Sequence, residues 1–184
     1  TCENNVEELI TQAIGVTGSL DVMMNNAGIV GARAPIDQML LDEFQKTLEI
    51  LVAGSFLGIK HAAAHMKQQA SGSIINMAST AGLSGGFGPH AYATAKHAIV
   101  GLTRNTAAEL CRYGIRVNCI SPSQTFTKML KKSMSKKQIK NLIKTIPLKR
   151  LSSIKEQSNG AIFLLSTLSK YISGTSLNID GGQI

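Results

Sequence analysis

Tryptophan is absent from the 184-residue sequence, and all aromatic residues together make up only 4% of it. Acidic residues are also few, with 11 Asp and Glu against 19 Lys and Arg, which gives a formal net charge of +8. Nine of the basic residues lie between Lys128 and Arg150, and Phe126 is the only aromatic residue near them. Proteins that bind single-stranded nucleic acid need aromatic side chains on which bases stack. We therefore expect a solvated basic face and no nucleic-acid partner.

Cysteine is rare as well, and its pattern excludes a disulfide framework and a zinc site. The three cysteines are odd in number and form no CxxC pair, which indicates reduced thiols. The first residues, TCENNVEELI, have neither the basic region nor the apolar core of a signal peptide. No uninterrupted apolar run reaches the roughly 20 residues of a membrane helix. These features predict a cytoplasmic protein without a membrane partner or a metal.

What the sequence does contain is an alternation of helical and extended patterns. Short apolar runs bounded by turn residues predict strands over 20–24, 73–78, 115–120 and 175–179. Helical periodicity predicts helices over 6–14, about 41–69, 90–113 and 155–169, with one or two short helices in 127–148. Strands that alternate with helices indicate an α/β fold with a parallel sheet and right-handed crossovers.

Polar or turn-forming residues follow three of the predicted strands at their carboxyl ends. They are Asn26, Ser79 and Pro122. In open parallel sheets, ligands bind beyond the carboxyl ends of the strands. The sequence therefore predicts a site along this edge of the sheet.

Tyr92 and Lys96 are the residues in this region best suited to catalysis. They stand four positions apart in a predicted helix and so project from one face. A lysine ammonium beside a phenol favours the phenolate and is expected to lower the pKa of Tyr92, which would make it a general acid/base. Ser79 would hydrogen-bond the same substrate oxygen. The loop 82–88, GLSGGFG, is interpreted as an active-site loop near the substrate.

Four motifs in order resemble the classical short-chain dehydrogenase/reductase family. They are NNAG at 25–28, the set Ser79, Tyr92 and Lys96, NCISP at 118–122 and YISGTSLNIDGG at 171–182. The stretch 88–122 is most similar to plant enzymes of the secoisolariciresinol, xanthoxin and tropinone type. The resemblance implies the C-terminal part of a doubly wound Rossmann fold whose full sheet order is 3-2-1-4-5-6-7. This chain would supply strands 4-5-6-7.

The resemblance also implies hydride transfer between NAD or NADP and a small secondary alcohol or ketone. Tyr92 would be the acid/base, Lys96 would tune it and hold the nicotinamide ribose, and Ser79 would polarise the substrate oxygen. The residues implied to bind the cofactor are Asn26, Ala27, Gly28, Tyr92, Lys96, Pro122, Thr125 and Thr127. The likeness to the plant enzymes slightly favours NAD over NADP.

Three departures from the family pattern qualify that expectation. No TGxxxGxG phosphate loop is present, so 1–184 is interpreted as a single partial domain of an N-terminally truncated member, lacking the glycine-rich βαβ unit. Strand 20–24 would then be an open edge. Leu51 stands where the family carries an asparagine that holds a water for proton relay, which predicts reduced turnover. Ser123 replaces the glycine that usually follows Pro122.

In this family the helices corresponding to about 41–69 and 90–113 pair across subunits, which implies a homodimer or homotetramer. Gly54 and Gly58 are expected to allow close approach of a partner helix. Two other functions remain open: a catalytically impaired truncated paralogue that acts only through oligomerisation, and a basic nucleic-acid or membrane-surface binder. Cofactor titration separates the enzyme from both, and a steep loss of binding with salt would favour the third.

Overall fold

The structure is a computed structural model that describes residues 2–127, 130 and 134–184. Its elements follow one another in this order: α1 (Glu3–Thr17), β1 (Val22–Asn25), α2 (Leu41–Leu48), a π-helical turn (Glu49–Ala53), α3 (Gly54–Gln69), β2 (Gly72–Met77), α4 (His90–Leu110), β3 (Ile115–Pro122), α5 (Lys136–Thr145), α6 (Ile154–Leu165) and β4 (Ser176–Ile179). Short 3-10 turns lie at Ile36–Gln38, Thr80–Gly82, Cys111–Tyr113 and Thr167–Ser169.

The described strands form one parallel sheet in the order β1-β2-β3-β4, as the alternating pattern predicted. Asn25 lies opposite Asn76, Met77 opposite Ile120, and Pro122 opposite Ile179. The carboxyl ends of all four strands consequently lie along one edge of the sheet. The predicted α/β fold class is confirmed.

Helices cover both faces of the sheet. Neighbouring residues of a strand point to opposite faces, so each strand packs against helices on both sides. On β2, Ile74 packs in a cluster with Ile59 and Met66 from α3, whereas Ile75 packs with Leu164 from α6. All five side chains are fully or almost fully buried. Burial of apolar area on both faces is the main stabilising contribution to this arrangement.

Two of the glycines that end helices do so in the left-handed conformation. Gly18 has φ of 76° and caps α1 by donating its N–H to Ile14. Gly114 has φ of 71°, and a Cβ built there would lie 2.3 Å from the carbonyl oxygen of Ala70. Side chains rarely adopt this conformation, so glycine is required at both turns.

The predicted single helix over 41–69 is continuous but contains a π-helical turn at Glu49–Ala53. The sequence pattern did not predict this turn, because one inserted residue hardly changes the apolar stripe. In the described part of the chain, Leu41–Gln69 is long and apolar enough to cross a membrane by composition alone. Its apolar residues Leu51, Ile59 and Met66 are buried in the core, however, which accounts for that composition.

Gly58 serves a different purpose from the one predicted. A Cβ at Gly58 would lie 2.0 Å from Oδ1 of Asn25 and 2.8 Å from the methyl group of Met23. Gly58 therefore allows α3 to approach strand β1 of the same chain, and its expected role in contacting a partner helix is wrong.

The basic segment contains one described helix, α5, which begins with a capping box. Ser135 accepts the backbone N–H of Gln138, and the Gln138 side chain accepts the backbone N–H of Ser135. Such a box satisfies two N–H groups at a helix start. The rest of the predicted helical region includes 128, 129 and 131–133, which lie outside the described residues.

Strand β1 pairs with β2 on one side, and no described residue forms a strand on its other side. Val22 and Met24 point away from α3 and are exposed by 42% and 39%. The expected open edge is therefore present in the described part of the chain.

Candidate active site

A buried chain of amide hydrogen bonds fixes the sheet edge beside the site. Asn25 donates from Nδ2 to Oδ1 of Asn76 at 2.8 Å, and Asn76 donates to Oγ1 of Thr103 at 2.9 Å. Thr103 in turn donates to the carbonyl of Ile99. Because Asn76 and Thr103 are fully buried, these bonds satisfy polar groups that would otherwise cost free energy. They join β1, β2 and α4 in a fixed register.

Ser79 and Gly82 determine how closely the turn after β2 approaches α4. Ser79 caps the 3-10 turn by accepting the N–H of Ala81 at 3.2 Å. A Cβ at Gly82 would lie 2.5 Å from the carbonyl oxygen of Lys96, so only glycine permits this approach. The Ser79 side chain thereby lies beside the Tyr92 side chain, which is in the first turn of α4.

Lys96 lies one helical turn after Tyr92 and is 5% exposed. Its Nζ donates to the carbonyl oxygen of Met77 at 2.6 Å and lies 5.4 Å from the centroid of the Tyr92 ring. Burial lowers the pKa of Lys96 to about 8, and the nearby Cys119 thiol only partly opposes this. The spacing of the two residues therefore places them together, as the sequence predicted.

The expected lowering of the Tyr92 pKa is not observed in this structure. Burial raises the pKa of Tyr92 above its ordinary value, and the nearby Ser79 hydroxyl opposes the increase without cancelling it. The Lys96 ammonium is directed at the carbonyl at the end of β2, so it stabilises the phenolate less than the sequence suggested. Tyr92 is therefore a protonated phenol at neutral pH in this state.

Tyr92 lies where two neighbouring clefts meet. The smaller cleft, about 230 Å³ in volume, is lined by Ser79, Tyr92 and Pro122 among other residues. The larger, about 1120 Å³, is lined by Tyr92, Thr125 and Thr127. The glycine-rich loop borders both clefts through Phe87 and Gly88, which agrees with its interpretation as an active-site loop.

Thr125 and Thr127 already have hydrogen-bond partners within the chain. Thr125 Oγ1 shares a hydrogen bond of 2.9 Å with the hydroxyl of Ser152, and Thr127 Oγ1 accepts the N–H of Leu130 at 3.2 Å. These bonds fix the loop after β3 at the mouth of the larger cleft. Each hydroxyl has spare capacity for one further partner.

The remaining predicted residues lie just beyond the clefts. Asn26, Ala27 and Gly28 are exposed at the carboxyl end of β1. A Cβ at Gly28 would lie 2.8 Å from Cδ2 of Leu51, so the π-helical turn packs directly against this loop. Leu51 is 2% exposed and belongs to an apolar cluster that Tyr92 also contacts.

Two polar residues line both clefts and were not singled out in the sequence. They are Arg33, in the loop after β1, and Gln124, two residues after Pro122. Both follow the carboxyl end of a strand, which is the signal that could have identified them. The apolar walls around them come from residues such as Val30 and Phe87.

Comparison with known proteins gives matches over nearly the whole chain. The family model described as enoyl-(acyl carrier protein) reductase matches residues 1–183. Xanthoxin dehydrogenase of Arabidopsis thaliana is 38% identical over 195 residues, covering 98% of this chain and 67% of the relative. Secoisolariciresinol dehydrogenase of Forsythia intermedia is 40% identical over 189 residues, covering 99% of this chain and 68% of the relative.

Solved structures match equally well. The crystal structure of levodione reductase has a TM-score of 0.95 at 38% identity, covering 99% of this chain and 73% of that one. NAD+-bound xylitol dehydrogenase has a TM-score of 0.91 at 32% identity, covering 98% and 75%. ElxO with NADP bound has a TM-score of 0.93 at 31% identity, covering 98% and 74%.

Proposed function

This chain belongs to the short-chain dehydrogenase/reductase family, and we propose on that basis that Tyr92, Ser79 and Lys96 are its catalytic residues. The family assigns it to the NAD(P)-dependent oxidoreductases that interconvert secondary alcohols and ketones. The observation that carries the residue assignment is that Ser79 and Tyr92 line the same cleft, with Lys96 beneath the Tyr92 ring.

The donor groups beside Tyr92 suit the ribose of a nicotinamide cofactor. The Lys96 ammonium is almost fully buried and donates one hydrogen bond to protein, at Met77. An ammonium has three N–H donors, so two remain for ribose hydroxyls. Backbone at Asn26, Ala27 and Gly28 and the hydroxyls of Thr125 and Thr127 would line the rest. When bound, the nicotinamide ring supplies or accepts the hydride.

The protein handles the proton. In ketone reduction, the Tyr92 hydroxyl donates its proton to the carbonyl oxygen, and the Ser79 hydroxyl holds that oxygen by a second hydrogen bond. Two positioned donors stabilise the negative charge that develops on this oxygen in the transition state. Lys96 then favours the phenolate that remains on Tyr92. In alcohol oxidation the same groups act in the reverse direction.

The test is oxidation of a panel of secondary alcohols by NAD+ and NADP+ in the presence of the purified chain, together with titration of both reduced cofactors. We propose that NAD is preferred, which the likeness to the plant enzymes supports. Tighter binding of NADPH than NADH would contradict this preference. A chain that binds neither cofactor would contradict the enzymatic function and favour a role in assembly alone.

We also propose a homodimer or homotetramer assembled through 41–69 and 90–113. Leu41 and Phe56 on the first of these segments are large apolar residues exposed by 65% and 49%, which supports a contact there. Sedimentation at increasing concentration tests this, and a monomer at all concentrations would contradict it.

Leu51→Asn is expected to raise kcat severalfold while lowering the free energy of unfolding by about 1–3 kcal/mol. The asparagine found at this position in the family holds a water that links the lysine to solvent, and leucine closes that route. The cost in stability arises because the amide would replace an apolar side chain that is 2% exposed. Steady-state kinetics and urea unfolding measure the two effects.

Leu51→Ala is the matched control for this substitution. It removes most of the leucine side chain without adding an amide, so the free energy of unfolding should fall by about 2–5 kcal/mol with no gain in kcat. A folded Leu51→Asn variant whose kcat is unchanged would show that proton relay through this position does not limit turnover.

A further inference from the structure

Arg33 lines both clefts beside Tyr92 and has no hydrogen-bond or ion-pair partner among the described residues. It lies in the loop between β1 and the 3-10 turn at Ile36–Gln38. Across the described ranges, every ion pair is made by other residues and Arg33 takes part in no hydrogen bond. By contrast, Arg150 pairs with Glu156, and Arg116 donates to Ser169 and Ile172.

The charge around Arg33 is one-sided. Among the described residues that line the two clefts, none is aspartate or glutamate. The other polar side chains are Gln124, His90 and the hydroxyls of the site, and the remaining walls are largely apolar, formed by residues such as Val30, Ala34 and Phe87. A guanidinium in a cleft whose described walls are largely apolar and carry no carboxylate attracts anions more strongly than the same group on an open surface.

The geometry points to a substrate that carries a carboxylate as well as the reacting ketone or alcohol, with Arg33 binding the carboxylate. This inference rests on the proposed function, because Tyr92 and Ser79 must hold the reacting oxygen in the same cleft. The planar guanidinium binds a carboxylate through two parallel N–H···O bonds, which fixes orientation as well as affinity. The apolar walls would then contact the hydrocarbon that joins the two groups.

The experiment compares cyclohexanone carrying a carboxylate on the carbon opposite the ketone with the methyl ester of the same compound. The wild-type chain should reduce the acid with a kcat/KM about 10- to 100-fold above that of the ester, as expected for a charge-assisted hydrogen bond. Arg33→Gln should remove this preference, mainly through KM, and leave the ester within twofold of wild type. Arg33→Lys should retain part of it.

Arg104→Gln is the matched control, because Arg104 is also an exposed arginine and forms no ion pair with the residues that the structure describes, but it lines a different cavity, beside Thr175 and Gln183. It should change neither kcat/KM value. Equal use of acid and ester by the wild type, or an equal loss for both in Arg33→Gln, would overturn the role of Arg33 while the oxidoreductase function stands.

If the chain reduces neither the acid nor the ester, a binding measurement separates the oxidoreductase function from the role of Arg33. That outcome would count against the proposed function, and calorimetric titration with the acid then decides the role of Arg33. Binding of the acid that weakens at least tenfold in Arg33→Gln supports the anion site, and equal binding by wild type and variant overturns it.

Discussion

Replacing Tyr92 by phenylalanine is expected to lower kcat for ketone reduction by about 100- to 10,000-fold, the range found for loss of a positioned acid/base. The substitution removes one oxygen from a ring that otherwise keeps its contacts with the apolar cluster around Leu51. Binding of the reduced cofactor should stay within about threefold, because Lys96 still supplies its ammonium to the ribose. A large loss in kcat with intact binding is the signature of a group that acts in the transition state.

The matched control is Tyr171→Phe, since Tyr171 is fully exposed and far from the clefts in sequence. It removes the same oxygen and should leave kcat unchanged. Consumption of the reduced cofactor measures the rate, and fluorescence titration measures its binding. A Tyr92→Phe variant that retains more than a tenth of the wild-type kcat would exclude Tyr92 as the acid.

Burial of the Tyr92 hydroxyl adds a pH-dependent element to this prediction. Burial raises the pKa of Tyr92, so the hydroxyl is protonated and ready to donate throughout the neutral range. Ketone reduction by the wild type should therefore show no loss from ionisation of Tyr92 as the pH rises through neutrality. Alcohol oxidation needs the phenolate and should increase with pH.

The sequence was sufficient to predict the helices and strands and their order, because local sequence signals and tertiary packing favour the same elements. Gly18 and Gly114 follow the helical segments that the pattern predicted over 6–14 and 90–113, and each predicted strand has a short apolar run bounded by turn residues. The convergence of Ser79, Tyr92 and Pro122 on one cleft follows from their places at strand ends and in the first turn of a helix.

Features that depend on contacts between distant segments could not be predicted in the same way. Gly58 looked suited to a partner helix, yet the atoms that exclude a Cβ there belong to Asn25 and Met23. The bond from Lys96 to the carbonyl of Met77 joins a side chain to backbone, and no residue type signals it. Arg33 could not be identified from the sequence, because an arginine in a loop is ordinarily a solvated surface residue.

Lys96→Met is expected to lower kcat/KM by about 100- to 1000-fold and, at neutral pH, to make the protein more stable. The loss of activity follows from removing the charge that favours the Tyr92 phenolate and the donors for the ribose. The gain in stability follows from burial, which lowers the pKa of Lys96 from 10.5 to about 8 and so disfavours its charged form in the folded state. By linkage this penalty is worth about 3 kcal/mol at most.

The pH dependence distinguishes this cause from a simple packing effect. Below pH 8 Lys96 is charged in the folded state, so the full free-energy penalty of burying this charge applies. Between pH 8 and 10.5 the unfolded state binds more protons than the folded state, so wild-type stability rises with pH relative to the variant. The advantage of Lys96→Met should therefore be largest near neutrality and vanish by about pH 10.5. Loss of the hydrogen bond from Lys96 to the carbonyl of Met77 reduces this gain in stability by about 1 kcal/mol.

Urea unfolding of wild type and Lys96→Met across this pH range measures the difference in stability. Lys155→Met is the control, because Lys155 is exposed in the first turn of α6, and its stability should not differ from wild type at any pH. A variant less stable than wild type at every pH would mean that the Lys96 ammonium stabilises the fold. The expected combination, lost activity with gained stability, would identify Lys96 as a charge that the fold retains for chemistry at a cost to its own stability.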